Sequence, residues 1–249
     1  MSREFTPEAV ILAGGRGVRM GSEYRNEQKC LLEIDGQPIL KQVLGALAIA
    51  FSRADVTILT SHKSQEVHDF VRKNTPKGLT VEFMDDNGHS NSTYLYKSTR
   101  GLTRGTFVGT AGDIVVEPHI YSEVRDAAAN SDAIAAVAMA TDVTQVDTHA
   151  LGKIKDGLLT ELSWPPPTVP DEDHLRDMTV WGINQSFYEY ADQNPDRKAF
   201  PQLIIRALEE EMDAPAVLYE GQWVHVGYPH DLNKSMDGTI YSTAESKLQ

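Results

Sequence analysis

Apolar residues come in short bursts along this chain, separated by stretches in which they recur every three or four positions. Residues 10–13, 56–60, 80–84, 107–110 and 133–140 are apolar or β-branched runs, too short for helices and suited to buried strands. Between them, residues 39–51, 64–73, 93–102 and 118–130 carry helical spacing. Alternation of this kind predicts an α/β protein, three layers (α/β/α) around a mixed, mainly parallel central sheet.

After residue 140 the pattern loosens. Residues 141–180 hold polar turns, a hairpin-like stretch at 152–160 around Asp156-Gly157, and the run Pro165–Pro167, which reads as an irregular rim rather than core. Residues 179–184 and 216–221 look like returning strands. The helix expected between them, 200–212, gathers Leu203, Ile204, Ala207 and Leu208 on one face. No linker, internal repeat or low-complexity stretch divides the chain, so its 249 residues read as a single domain.

Composition narrows the partners. With 41% hydrophobic residues the chain can bury a substantial core. Its net charge of −13 argues against general binding to nucleic acid or anionic membranes, which need a basic face. The single cysteine, Cys30, forms no internal disulfide, the N-terminal MSREFTPEAV has no apolar signal region, and no apolar run reaches membrane length. The expectation is a soluble cytoplasmic protein, with a homo-oligomer left open.

Against that acidic background, the stretch VILAGGRGVRMGSEYRNEQKCLLEIDGQPIL at residues 10–40 opens with a net positive part, residues 10–30, where Arg16, Arg19, Arg25 and Lys29 stand against Glu23 and Glu27. An apolar strand runs into Gly14, Gly15 and Gly17, which let the backbone bend and present N–H groups to oxyanions. A Walker A loop would need Lys followed by Ser or Thr, and a dinucleotide fingerprint would need a glycine where Met20 stands. Neither fits. The residues Leu12-Ala13-Gly14-Gly15-Arg16-Gly17-Val18-Arg19-Met20, then Lys29, then Gly36-Gln37-Pro38-Ile39-Leu40 instead resemble the first signature of the NDP-sugar pyrophosphorylases, the sugar-phosphate nucleotidyltransferases.

That resemblance implies a Rossmann-like nucleotidyltransferase fold with a nucleotide-binding part at about 8–140, an acceptor-binding part and return to the sheet at about 141–235, and a tail at 236–249. The implied reaction is attack by a phosphate oxygen of the acceptor on the α-phosphorus of a nucleoside triphosphate, with pyrophosphate leaving. Arg19 and Lys29 become the catalytic cations. The guanidinium fork suits the β- and γ-phosphates and the ammonium the α-phosphate or the incoming phosphate. Leu12, Ala13, Gly14, Gly15 and Gly17 are expected to bind the nucleotide, as are Asn91 and Ser92, whose Asn91-Ser92-Thr93-Tyr94-Leu95 run resembles the Asn-x-x-Ser-Leu run of choline-phosphate and related alcohol-phosphate cytidylyltransferases more than the Gly-Thr-Ala-type turn of sugar-type members. Asn91 or Ser92 is equally a good helix N-cap.

The Gly112-Asp113 pair follows a buried strand, and a carboxylate there suits Mg²⁺. The family's late motif, Trp-x-Asp-x-Gly-x-Pro-x-Asp-Leu, appears as Trp223 to Leu232 with His225 at the usual second metal ligand. Imidazole is softer than carboxylate, which leaves Mn²⁺ possible beside Mg²⁺, or a contact to phosphate or metal-bound water. Asp231 reads as a helix cap. Sugar-activating relatives carry Glu-Lys-Pro and Asn-Ala-Gly where this chain has Leu162-Ser163-Trp164-Pro165 and Val180-Trp181-Gly182. Trp164 and Trp181 are therefore expected to face an unusual acceptor, with Lys153, Lys155 and Arg176 as replacement phosphate anchors. The leading expectation is a metal-dependent enzyme joining a triphosphate to a sugar 1-phosphate or sugar-like phosphate. A cytidylyltransferase for an alcohol phosphate or phosphonate, and a non-catalytic nucleotide-sugar sensor, are the alternatives.

Overall fold

The apolar bursts become strands and the periodic stretches become helices. A computed structural model describes residues 4–142, 149–167 and 169–234; the expected tail at 236–249 lies outside the described residues. In chain order the elements are β1 Pro7–Leu12, β2 Glu33–Ile34, β3 Gln37–Pro38, α1 Ile39–Phe51, β4 Ala54–Thr60, α2 Ser64–Asn74, β5 Leu79–Asp85, α3 Ser92–Lys97, β6 Phe107–Ala111, β7 Ile114–Val115, α4 His119–Ala129, β8 Ala135–Ala140, β9 Leu151–Lys155, β10 Leu158–Ser163, β11 Leu175–Ile183, α5 Ser186–Gln193, α6 Phe200–Glu209, β12 Ala216–Tyr219 and β13 Val224–His225. They form two compact units interleaved in the sequence.

The first unit takes the chain through His89, then Thr110–His119, then the chain from Gln222. β1, β4 and β5 pair in parallel, with Ile11 opposite Ile58 and Ile58 opposite Phe83. Every residue of β4 is buried, the mark of a strand covered on both faces. α1 buries Ile39, Leu40, Val43, Leu44 and Leu47, each worth roughly 1.5–3 kcal/mol relative to exposure. Beyond the end of β6, Gly112 N–H donates to the carbonyl of Leu12 at 2.9 Å. The short β7 pairs antiparallel with β13, which returns from the far end of the sequence.

The second unit comprises Ser90–Gly109 and Ile120–Gly221. β8, a row of small buried residues, lies between β11, antiparallel, and β12, parallel. β9 and β10 form a hairpin that adds to β11. The hairpin expected at 152–160 is present as β9 and β10, but the expectation of an irregular rim over 141–180 is corrected, because β9, β10 and most of β11 are sheet strands and Leu151, Leu159 and Met178 belong to the core. Polar residues on their outward faces hid them, as an antiparallel sheet with one solvated face allows. Between Asp177, opposite Met139, and Trp181, opposite Val137, β11 bulges, with Thr179 at φ 53°. α3 and α6 stop short of the expected 102 and 212, and α5 is an additional helix.

The class is therefore α/β with a mixed, mainly parallel sheet and flanking helices. Among the described residues no helix is long and apolar enough to cross a membrane.

Candidate active site

Strand pairing continues one residue beyond β1, where Ala13 N–H donates to Leu59 O at 2.8 Å, and then the chain turns away. At Gly14 a Cβ would fall 1.7 Å from Oδ2 of Asp86. A side chain at this position would displace that carboxylate, which is buried and whose Oδ1 accepts from Gly88 N–H at 2.7 Å. Gly17 sits at φ 59°, in the left-handed region, and opens a 3₁₀ turn at Val18–Met20. Met20 is buried and anchors the turn, while Arg19 stands exposed beside it. Gln28, buried, closes the loop: its Nε2 donates to Ala13 O at 2.8 Å and His62 O at 3.1 Å, and its Oε1 accepts from Lys29 N–H at 2.8 Å.

Lys29 is thereby held at the start of a second 3₁₀ turn, Lys29–Leu31, and its ammonium pairs with Oδ2 of Asp113. The β7–β13 pairing sets His225 opposite Ile114, and Val226 N–H donates to Asp113 O at 3.0 Å. As a result His225 Nε2 lies 3.6 Å from the same Asp113 oxygen. Burial works to raise the Asp113 pKa, but Lys29 and then His225 outweigh it and hold the carboxyl well below the usual carboxylate range. The neighbouring Cys30 thiol is pushed up to about 12 by burial and by the Asp113 charge, so it stays a neutral core group.

Arg19 has a different companion. Its guanidinium lies 5.5 Å from the centre of the Tyr228 ring, and the His230 ring runs parallel to Tyr228, 9° off, at 5.6 Å. Asp231 fixes this segment, with Oδ2 accepting from Gly227 N–H at 3.0 Å and Tyr228 N–H at 2.8 Å. It caps the 3₁₀ turn Pro229–Asn233 from inside, as the turn's third residue reaching back to the N–H of the N-cap residue Tyr228.

A glycine-rich strand-to-loop turn, a Lys–Asp pair, and an exposed arginine seated on a tyrosine ring make a phosphate-handling arrangement. The sequence profile of the MobA-like NTP transferase domain matches residues 9–178, more than half of the chain. The chain belongs to this family. It is a nucleotidyltransferase. No curated protein matches it in sequence. Among solved structures, the inositol-1-phosphate CTP transferase of T. maritima superposes with a TM-score of 0.73 at 13% identity, over 98% of this chain and 96% of that one. A protein assigned as a glucose-1-phosphate thymidylyltransferase of Bacillus anthracis superposes with a TM-score of 0.74 at 14% identity, over 97% and 94%. At such identities these likenesses concern the fold.

The remaining residues singled out in the sequence lie in the second unit of the nucleotidyltransferase. Asn91 Oδ1 accepts from Tyr94 N–H at 3.1 Å and Ser92 Oγ from Phe200 N–H at 2.9 Å, so both serve as helix-end acceptors. Trp181 is buried, stacked on Phe200 at 4.4 Å and edge-on to Tyr96, with Nε1 donating to Asp177 Oδ1 at 3.0 Å. Its expected contact with an acceptor is corrected: the indole faces are packed and its single N–H is used. Trp164 is half-buried. Arg176 is buried and paired with Asp142 at 3.3 Å, Lys153 pairs with Asp171 at 2.6 Å, and Lys155 is exposed.

Sequence reading did not single out Gln28 or Tyr228. Gln28 sits in a polar run where burial leaves no periodic trace, and Tyr228 occupies a variable place in its motif. For a metal, no group of three or more His, Cys, Asp or Glu gathers among the described residues. The donors at hand are the ionised Asp113 and the His225 imidazole. One carboxylate fits Mg²⁺, which takes few protein ligands and completes its shell with phosphate oxygens and water.

Proposed function

We propose that this nucleotidyltransferase joins the α-phosphorus of a nucleoside triphosphate to the phosphate of a sugar 1-phosphate or a sugar-like cyclic polyol phosphate, releasing pyrophosphate. The observation that carries the reading is the convergence of Lys29 and His225 on Asp113 beside the glycine loop. In the reaction an acceptor phosphate oxygen bonds to the α-phosphorus as the bond from that phosphorus to the β-phosphate's bridging oxygen breaks. The attacking phosphate is already ionised at neutral pH, so no protein base is required.

The residues act by position and charge. The loop from Gly14 onward offers N–H groups to the phosphates, Arg19 grips the β- and γ-phosphates, and Lys29 stabilises charge on the phosphoryl group in transfer. Asp113, assisted by His225, would hold Mg²⁺ or Mn²⁺. When bound, that ion neutralises charge developing on the phosphate oxygens. The acceptor is a cyclic, phosphorylated small molecule, and the likeness to an inositol-1-phosphate CTP transferase supports a polyol ring and keeps a cytidylyltransferase reading in play.

The test is pyrophosphate release with the four common triphosphates against phosphorylated sugars, inositols and alcohols, with Mg²⁺ or Mn²⁺. One selective triphosphate and acceptor pair is expected. Turnover confined to acyclic alcohol phosphates would replace the acceptor assignment, and no release with any pair would remove the reading.

A further inference from the structure

We propose that Tyr228 is a positioning residue for Arg19, holding its guanidinium ready for a polyphosphate without competing for it. This rests on the reading of Arg19 as the polyphosphate grip. The two cations of the site are restrained in different ways. Lys29 is paired with a carboxylate, which neutralises part of its charge until a phosphate draws it away. Arg19 has no acidic partner among the described residues and lies over an aromatic ring instead.

A long arginine side chain on an exposed turn would otherwise sample many rotamers, and binding a phosphate would have to freeze them. The face of a tyrosine attracts the cation, yet accepts none of the guanidinium N–H groups that bidentate phosphate binding needs. An acid in this place would orient Arg19 as well but would have to be displaced. The platform is itself anchored: buried Asp231 takes the Tyr228 N–H, Pro229 begins the following turn, and the His230 ring lies parallel to Tyr228. Met20, buried next to Arg19 in sequence, fixes the other side of the contact.

The experiment measures binding of inorganic tripolyphosphate, which has no base, to the full chain by titration calorimetry. Tyr228→Leu should weaken binding about two- to fivefold, the fold-change of one exposed cation–ring contact, while Tyr228→Phe stays close to the parent. Ring-fluorinated phenylalanines at 228 preserve shape and drain the ring face of charge, so affinity should fall with each added fluorine. In an Arg19→Ala background, Tyr228→Leu should change nothing further. A flat fluorine series, or an equal loss with Arg19 absent, overturns the positioning role. Unchanged binding by Arg19→Ala alone instead overturns the reading of Arg19 as the grip.

Discussion

The ammonium of Lys29 and the carboxylate of Asp113 are paired across the first unit, each side chain only 15% and 13% exposed. Removing one partner leaves a largely desolvated charge behind. Lys29→Ala should therefore cost about a hundredfold or more in turnover and also lower the melting temperature. The double variant Lys29→Ala/Asp113→Asn should recover most of that stability and none of the activity. Thermal melts and pyrophosphate release read the two effects separately, and recovery of turnover in the double variant would show that Lys29 does not act on the substrate.

His225 stands where a second carboxylate is customary, at 3.6 Å from Asp113. His225→Asp should stay active and raise the ratio of Mg²⁺- to Mn²⁺-supported turnover, because a hard oxygen replaces a softer nitrogen. If the ratio is unmoved and His225→Ala binds metal as the parent does, the imidazole is scaffold.

Asp177 in the second unit gives a pH signature of its own. Burial pushes its carboxyl up to about 7, against hydrogen bonds from Thr179 N–H and Trp181 Nε1. Unfolded, the same group titrates at about 4. Between those values the folded chain keeps a proton that the unfolded chain has lost, so this group's contribution to stability falls as pH rises from about 4 to 7 and then levels. Asp177→Asn keeps an acceptor for both N–H donors. It should melt higher than the parent at pH 8, with the advantage fading toward pH 5; an advantage independent of pH would mean that the carboxyl is not the cause.

Gly14→Ala puts a methyl where Asp86 Oδ2 now lies. The carboxylate must leave, and the loop with it, so turnover should drop at least tenfold, on the scale of a misplaced catalytic loop. Combining it with Asp86→Gly should restore part of the loss. Parent-like kinetics for Gly14→Ala would show that the loop tolerates the shift.

Much of this was legible because it is local. The bounds of α1 follow from the spacing of Ile39, Leu40, Val43, Leu44 and Leu47, and the glycine loop, Asp113 and Asp231 come from motifs whose residues are neighbours in the chain. What stayed hidden depends on partners distant in sequence. Trp181 looks like a pocket residue beside Gly182, and only its packing on Phe200 and Tyr96 makes it core. The hairpin of β9 and β10 was visible from Asp156-Gly157, but its place in the sheet was masked by Lys153, Lys155 and Glu161, polar residues at intermediate or exposed positions that interrupt any apolar run. Tyr228 and Arg19 carry no shared pattern at all, since a ring and a cation meet through two unrelated turns.

The interleaving of the units sets an order on biosynthesis. Lys29 and Asp113 emerge from the ribosome early, whereas His225 and Tyr228 arrive only after the whole second unit, which ends at Gly221, has been translated. A nascent chain arrested before β13 has the glycine loop and the Lys–Asp residues but neither the strand partner of β7 nor the ring beneath Arg19. The phosphate site is thus closed by the last described strand, and its assembly reports that everything upstream has already been made.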